Sequence, residues 1–162
     1  MIHPQRNTQM KPPRYIPLVA ASFLVLAAFA SSTSAQTAPK APAADGKHRA
    51  LFEVSMDGQP QWTATLNNVE NLQQALGAQT TEIEVVAHGN GLGLLLKSDG
   101  ALKERMQQLA AKGVVFAACE NTMRKKNVSK ADLLPFVTTV DSGVAEVVRK
   151  QEAGWAYLKS GD

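Results

Sequence analysis

Strand-length apolar runs alternate with helix-period segments from residue 47 to the end of this 162-residue chain. That alternation constrains the fold more than any other feature, because strands separated by helices pair in parallel and take helices on both sheet faces. Arg49–Ser55 reads as the first strand. Asp57-Gly58-Gln59-Pro60 then turns into a helix whose start suits Pro60. Trp62, Leu66, Val69, Leu72 and Leu76 recur at helical spacing on one face, and Gly77 stops it. Glu82–Ala87 is a second strand, and His88-Gly89-Asn90-Gly91-Leu92-Gly93 follows as a loop. Asp99 fits the N-cap of a helix lined by Leu102, Met106, Leu109 and Ala110 and ended by Gly113. Val114–Ala118 is a third strand, handing over at Cys119 to a short helix from Glu120 to Lys126. Ser129-x-x-Asp132 has the pattern of a capping box for one further turn, cut off by Pro135. Phe136–Val140 is a fourth strand, and a last helix from Ser142 is predicted to bury Val144, Val147, Val148, Gln151, Trp155 and Leu158.

The segment before this domain has a different character. Its first fourteen residues hold Arg6, Lys11 and Arg14 and no acid, Ile16–Ala30 is almost wholly apolar, and Ser31–Ala35 is small and mostly polar. A basic region, a short apolar core and a small-residue exit make a secretory signal peptide over residues 1–35. Thr33 and Ala35 supply the small side chains of a cleavage site after Ala35, which predicts a periplasmic protein beginning at Gln36. The alternative is an uncleaved anchor, but the apolar core is short against the roughly 20 residues a span needs. After cleavage no stable membrane span is expected. Met10-Lys11 also has the form of a start, so Met1 and Met10 are alternative first residues. Residues 36–46, rich in Ala and Pro, read as a linker, and 47–162 as the folded domain.

Removing the leader changes what the charge implies. The chain carries 17 Lys and Arg against 14 Asp and Glu, but three of those bases and none of the acids precede Gln36. The remainder is balanced at fourteen of each, so the basic character belongs to the leader and no nucleic-acid partner is indicated.

Two strand ends carry the chemistry. Cys119 is the only cysteine, which excludes an internal disulfide. At a strand-to-helix junction the helix dipole and the free first-turn amides favour its thiolate, although a lone cysteine can equally be a small buried hydrophobe. Arg124, Lys125 and Lys126 follow; they could attract an anion, with Arg124 the candidate, or only complement the C-terminal end of their helix. In the other loop, Gly89 and Gly91 could let backbone amides approach a ligand or simply allow a tight turn. The pattern is neither G-x-G-x-x-G nor a P-loop, so no dinucleotide or nucleotide cofactor is indicated. His88 could assist a thiol or cap its strand. With only His48 and His88 left after the leader, no metal site is expected. A hydrolase built from Cys119, His88 and Asp99 or Asp141 is a further reading, which spacing does not single out.

Taken together, Val-Val-Ala-His-Gly-x-Gly over residues 85–91, Gly-Val-x-Phe-Ala-Ala-Cys-Glu-Asn-Thr-Met-Arg-Lys-Lys over 113–126, Asp132-Leu133-Leu134-Pro135, Ser142-Gly143-Val144-Ala145-Glu146 and Gly154-Trp155-Ala156-Tyr157 resemble the DsrE/DsrF-like family. The resemblance runs from about Lys47 to Lys159. It implies a flavodoxin-like three-layer α/β fold, assembly into oligomers, and sulfur-relay or sulfur-oxidation roles without a cofactor. In relay members the cysteine at the position of Cys119 accepts sulfur as a persulfide, and His88 falls on a motif position as a candidate helper. The expectation is an exported sulfur-handling homo-oligomer that exchanges sulfur with a donor or acceptor protein. The alternative is a non-catalytic oligomeric module that binds a ligand or partner.

Overall fold

The structure, a computed structural model, describes residues 45–98 and 100–159. The leader with its cleavage site, most of the linker and the N-cap expected at Asp99 lie outside the described residues. Five strands form one parallel sheet in the order β4-β3-β2-β1-β5. They are β1 (His48–Val54), β2 (Thr81–Ala87), β3 (Val115–Cys119), β4 (Thr138–Val140) and β5 (Ala156–Lys159). The intervening helices are α1 (Gln59–Leu76), α2 (Lys103–Ala111), α3 (Glu120–Lys126) and α4 (Gly143–Glu152).

Side-chain alternation divides the strands between two faces. Ala50, Phe52, Val54, Ile83, Val85, Ala87, Phe116 and Ala118 point to one face, where Trp62, Leu66 and Val69 of α1 and Met106 and Leu109 of α2 close the main core. The opposite face has a smaller cluster of Leu51, Val86 and Ala117, packed by Val140, Val147 of α4 and Trp155. β2 is buried along nearly its whole length because helices cover both sides of it, as parallel sheets require. Leu66 is fully buried in the main core, and truncating it to Ala would cost about 2–5 kcal/mol.

The glycine-rich loop is a 3-10 helix over Gly89–Leu95, with Leu92, Leu94 and Leu95 buried. A Cβ at Gly91 would lie 2.2 Å from the Val54 carbonyl oxygen, and one at Gly93 would lie 2.9 Å from the Trp62 ring. These glycines let the turn press against β1 and α1. Ser129 and Asp132 form the expected capping box, around a 3-10 turn at Lys130–Asp132.

The C-terminal end corrects the sequence reading. The last helix stops at Glu152, and the following residues form β5, an exposed edge strand paired with β1. Gly154 turns the chain at φ 90, with its N–H bonded to the Gln151 carbonyl and the Trp155 N–H to the Lys150 carbonyl. This is a Schellman C-cap, completed by the Lys150 ammonium lying 4.1 Å over the Trp155 ring. Tyr157 and Leu158 therefore lie on an exposed strand rather than on a helix, while Val144, Val148 and Gln151 are exposed rather than buried because Val147 is the α4 valine that packs on the sheet cluster. β4 is also shorter than expected, since Phe136 and Val137 pack against the core before the strand begins.

Candidate functional site

β3 ends in Cys119, which serves as the N-cap of α3. The residue is 4% exposed. Its side chain makes no N-cap hydrogen bond to α3. What surrounds it favours the charged form. Burial pushes the thiol up from its ordinary value. The Gly143 N–H, the Thr122 hydroxyl and the Thr122 and Asn121 amides outweigh that and hold it below its ordinary value. Gly143 opens α4 and Thr122 lies in the first turn of α3, so two helix starts face one sulfur. The Thr122 hydroxyl oxygen also accepts the Gly89 N–H at 3.0 Å, which ties the ends of β2 and β3 together.

Cys119 opens on a cavity of about 360 Å³ lined by His88, Gly89, Asn121, Thr122, Lys125, Lys126, Ser142 and Val144. Cys119, His88 and Gly89, all singled out in the sequence, therefore meet at one place. Gly91 does not line this cavity, and its amide is taken by the Ser55 carbonyl at 3.1 Å. Arg124 does not line it either, since its guanidinium bonds the Asn121 side-chain oxygen. The cavity cations are its two neighbours: Lys126 bonds Asn90 at 3.1 Å, and Lys125 has no side-chain partner among the described residues. Among those residues no group of three His, Cys, Asp or Glu side chains stands together as a metal site.

His88 has a carboxylate partner, but it is not Asp141, and Asp99 lies outside the described residues. Asp141 is held by Arg149 at 2.8 and 2.9 Å, which lowers its carboxyl to about 2. The partner is Glu53, on β1, whose Oε1 lies 2.7 Å from His88 Nε2. The other oxygen of Glu53 accepts the Tyr157 hydroxyl of β5 at 2.5 Å. Burial pushes the Glu53 carboxyl up, but Tyr157 and His88 more than offset it and keep the group below its usual value. Glu53 in turn raises the Tyr157 phenol to about 12. Sequence reasoning missed both residues. Glu53 alternates with apolar residues along β1 and reads as a solvent-facing position. The available signal for Tyr157 was Gly154, whose helix-ending role would have exposed the strand behind it.

Comparison with known proteins agrees with this architecture. The model of the DsrE/DsrF-like family matches residues 54–160. The solved structure of a protein of unknown function, MTH1491 from Methanobacterium thermoautotrophicum, is 35% identical and superimposes with a TM-score of 0.66, covering 70% of this chain and 99% of that one. No curated protein matches. The family match spans more than half of the chain and includes every strand end that builds the cavity, so the chain belongs to the DsrE/DsrF-like family.

Proposed function

We propose that this protein is an exported sulfur carrier that holds sulfane sulfur as a persulfide on Cys119. Membership of the DsrE/DsrF-like family supports a sulfur-relay type of role. The observation that carries the reading is the convergence of Gly143, Thr122 and Asn121 donors on one sulfur, which lowers the thiol and favours its nucleophilic form. The thiolate attacks the outer sulfur of a donor persulfide, the donor thiol departs, and Cys119 keeps the transferred sulfur until an acceptor thiol removes it. The same donors then face the terminal sulfur or its anion. Lys125 and Lys126 line the route in and favour an anionic donor or an acidic rim on a donor protein. The work is done by the chain's own side chains, and no cofactor enters.

The basic, apolar and small-residue order of residues 1–35 supports export and cleavage after Ala35. A periplasmic fraction should then yield the chain starting at Gln36. Val144, which lines the cavity, and Val148 on the same helix are exposed and support assembly into a homo-oligomer.

Cyanide releases sulfane sulfur as thiocyanate, which provides the test. Protein incubated with glutathione persulfide and desalted should release one thiocyanate per chain, and the Cys119→Ser variant none. Equal release from both proteins would overturn the assignment to Cys119. The 4% exposure of Cys119 favours a second reading, a binding module whose thiol is only packing. In that case Cys119 would alkylate only on unfolding and would hold no sulfur.

A further inference from the structure

Tyr157, Glu53 and His88 come from β5, β1 and the end of β2, and they form one hydrogen-bonded row that leads to the carboxyl edge of the sheet. The last member of that row lines the Cys119 cavity. A carboxylate only accepts hydrogen bonds, so its 2.7 Å contact with His88 puts a proton on Nε2. In the neutral ring Nδ1 is then the acceptor, and in the charged ring it carries the second proton. Glu53 uses both oxygens, one on Tyr157 and one on His88, which fixes the carboxylate and through it the ring. Gly143 permits the approach to the thiol. A Cβ there would lie 3.0 and 3.2 Å from His88 Cβ and Cδ2, and 3.3 Å from Cys119 Cβ. Imidazole and thiol thus pack on the same glycine.

We propose that His88 is the acid of sulfur transfer at Cys119, protonating the thiolate that leaves the donor, and that Glu53 and Tyr157 are its positioning residues. The inference rests on the persulfide reading above. The Cys119 thiolate attacks the outer sulfur of a donor R–S–SH. A new sulfur–sulfur bond forms at Cys119, and the donor's own sulfur–sulfur bond breaks with its electron pair going to R–S. The His88 imidazolium passes a proton to that thiolate, giving R–SH, and the neutral ring regains a proton from solvent through the cavity. Sulfane sulfur moves from one thiol to another, so no oxidant or reductant is consumed. In unloading, the neutral ring takes the acceptor thiol's proton. The other charged groups lining this space are Lys125 and Lys126 from α3, and Lys159 of β5 pairs in register with Glu53 of β1. Asp141 is occupied by Arg149.

The test compares two electrophiles whose leaving groups differ in their need for a proton. Glutathione persulfide expels a basic alkyl thiolate; an aromatic disulfide such as dithionitrobenzoate expels a thiolate that is stable without one. His88→Gln should slow loading from glutathione persulfide by about 10²-fold and leave the aromatic disulfide rate unchanged. Glu53→Gln and Tyr157→Phe should slow the persulfide reaction alone, and by smaller factors. Equal loss with both reagents would reduce His88 to a packing residue, and no loss with either would remove it from the step. Both results overturn the proposal, while the aromatic disulfide arm reports whether each variant keeps an intact thiol site. A wild-type protein that reacts with the aromatic disulfide but takes no sulfur from the persulfide would instead overturn the carrier reading, and this inference with it.

Discussion

Replacing Thr122 with Val keeps the shape of the side chain and removes one hydroxyl with two roles. That hydroxyl accepts the Gly89 N–H at 3.0 Å and faces the Cys119 sulfur as a donor. A hydrogen bond to a charged group contributes about 1.5–3 kcal/mol. Sulfur is a weaker acceptor than oxygen, so the lower figure, about 1.5 kcal/mol, applies here. At about 1.4 kcal/mol per factor of ten, that moves the proton equilibrium about tenfold, so the variant's thiol should titrate higher. Below that range the thiolate fraction falls about tenfold, but a more basic thiolate is also the better nucleophile, with a Brønsted coefficient of about 0.4–0.5. The net expectation is labelling about threefold slower at low pH and about threefold faster on the alkaline plateau. Iodoacetamide labelling followed by intact mass across pH measures both limbs in one series. Crossing profiles confirm the argument. Superimposable profiles would refute it, because the Thr122 hydroxyl would then do nothing for the thiolate. The orphaned Gly89 N–H should also cost about 1–3 kcal/mol, seen as a lower Tm.

Gly143→Ala forces a methyl group against His88 and Cys119, so stability should fall by about 1–3 kcal/mol and the thiol should titrate higher as the Gly143 amide moves away. Calorimetry and the same labelling series measure both effects, and an unchanged thiol would contradict the role given to that amide. Lys150→Met removes the ammonium that lies 2.7 Å from Glu84, a carboxylate 4% exposed whose other oxygen has no partner among the described residues. Leaving that charge unpaired should cost about 3–5 kcal/mol near neutral pH. Burial already raises Glu84, so in the variant stability should be retained at acid pH, below the unfolded carboxyl value, and lost as pH rises through the folded one. Chemical unfolding at several pH values checks this, and a pH-independent loss would contradict it. Tyr157 should ionise near 12 in ultraviolet titration and return toward 10 in Glu53→Gln; an ordinary value in the wild type would show that the Glu53 contact is not held.

The parallel sheet was legible because each buried strand is a run of apolar residues bounded by a turn, and α1 carries its apolar face at clean helical spacing from Trp62 to Leu72. Cys119 was legible for the same reason, since an apolar run that ends abruptly before Glu120 marks a strand edge and a helix start. β5 was not. Val144, Val147, Val148, Gln151, Trp155 and Leu158 keep a helical period through Gly154, and only the positive φ of that glycine separates helix from strand. Its burial gave no help, because all four β5 residues are exposed. Glu53, His88 and Tyr157 illustrate the deeper limit. Glu53 is 35 residues from His88 and 104 from Tyr157, and neither contact leaves a local signature in one sequence. The cavity cations Lys125 and Lys126 were equally ambiguous, because basic residues in the last turn of any helix would look the same.

The central claim is that sulfur resides on Cys119. Intact-mass analysis of the protein before and after exposure to a sulfane-sulfur donor tests it most directly. The account predicts a gain of one sulfur atom, about 32 Da, that maps to the Cys119 peptide, disappears on adding an acceptor thiol and never forms in Cys119→Ser. A native protein whose Cys119 alkylates readily, yet gains no sulfur from any persulfide donor, would contradict it.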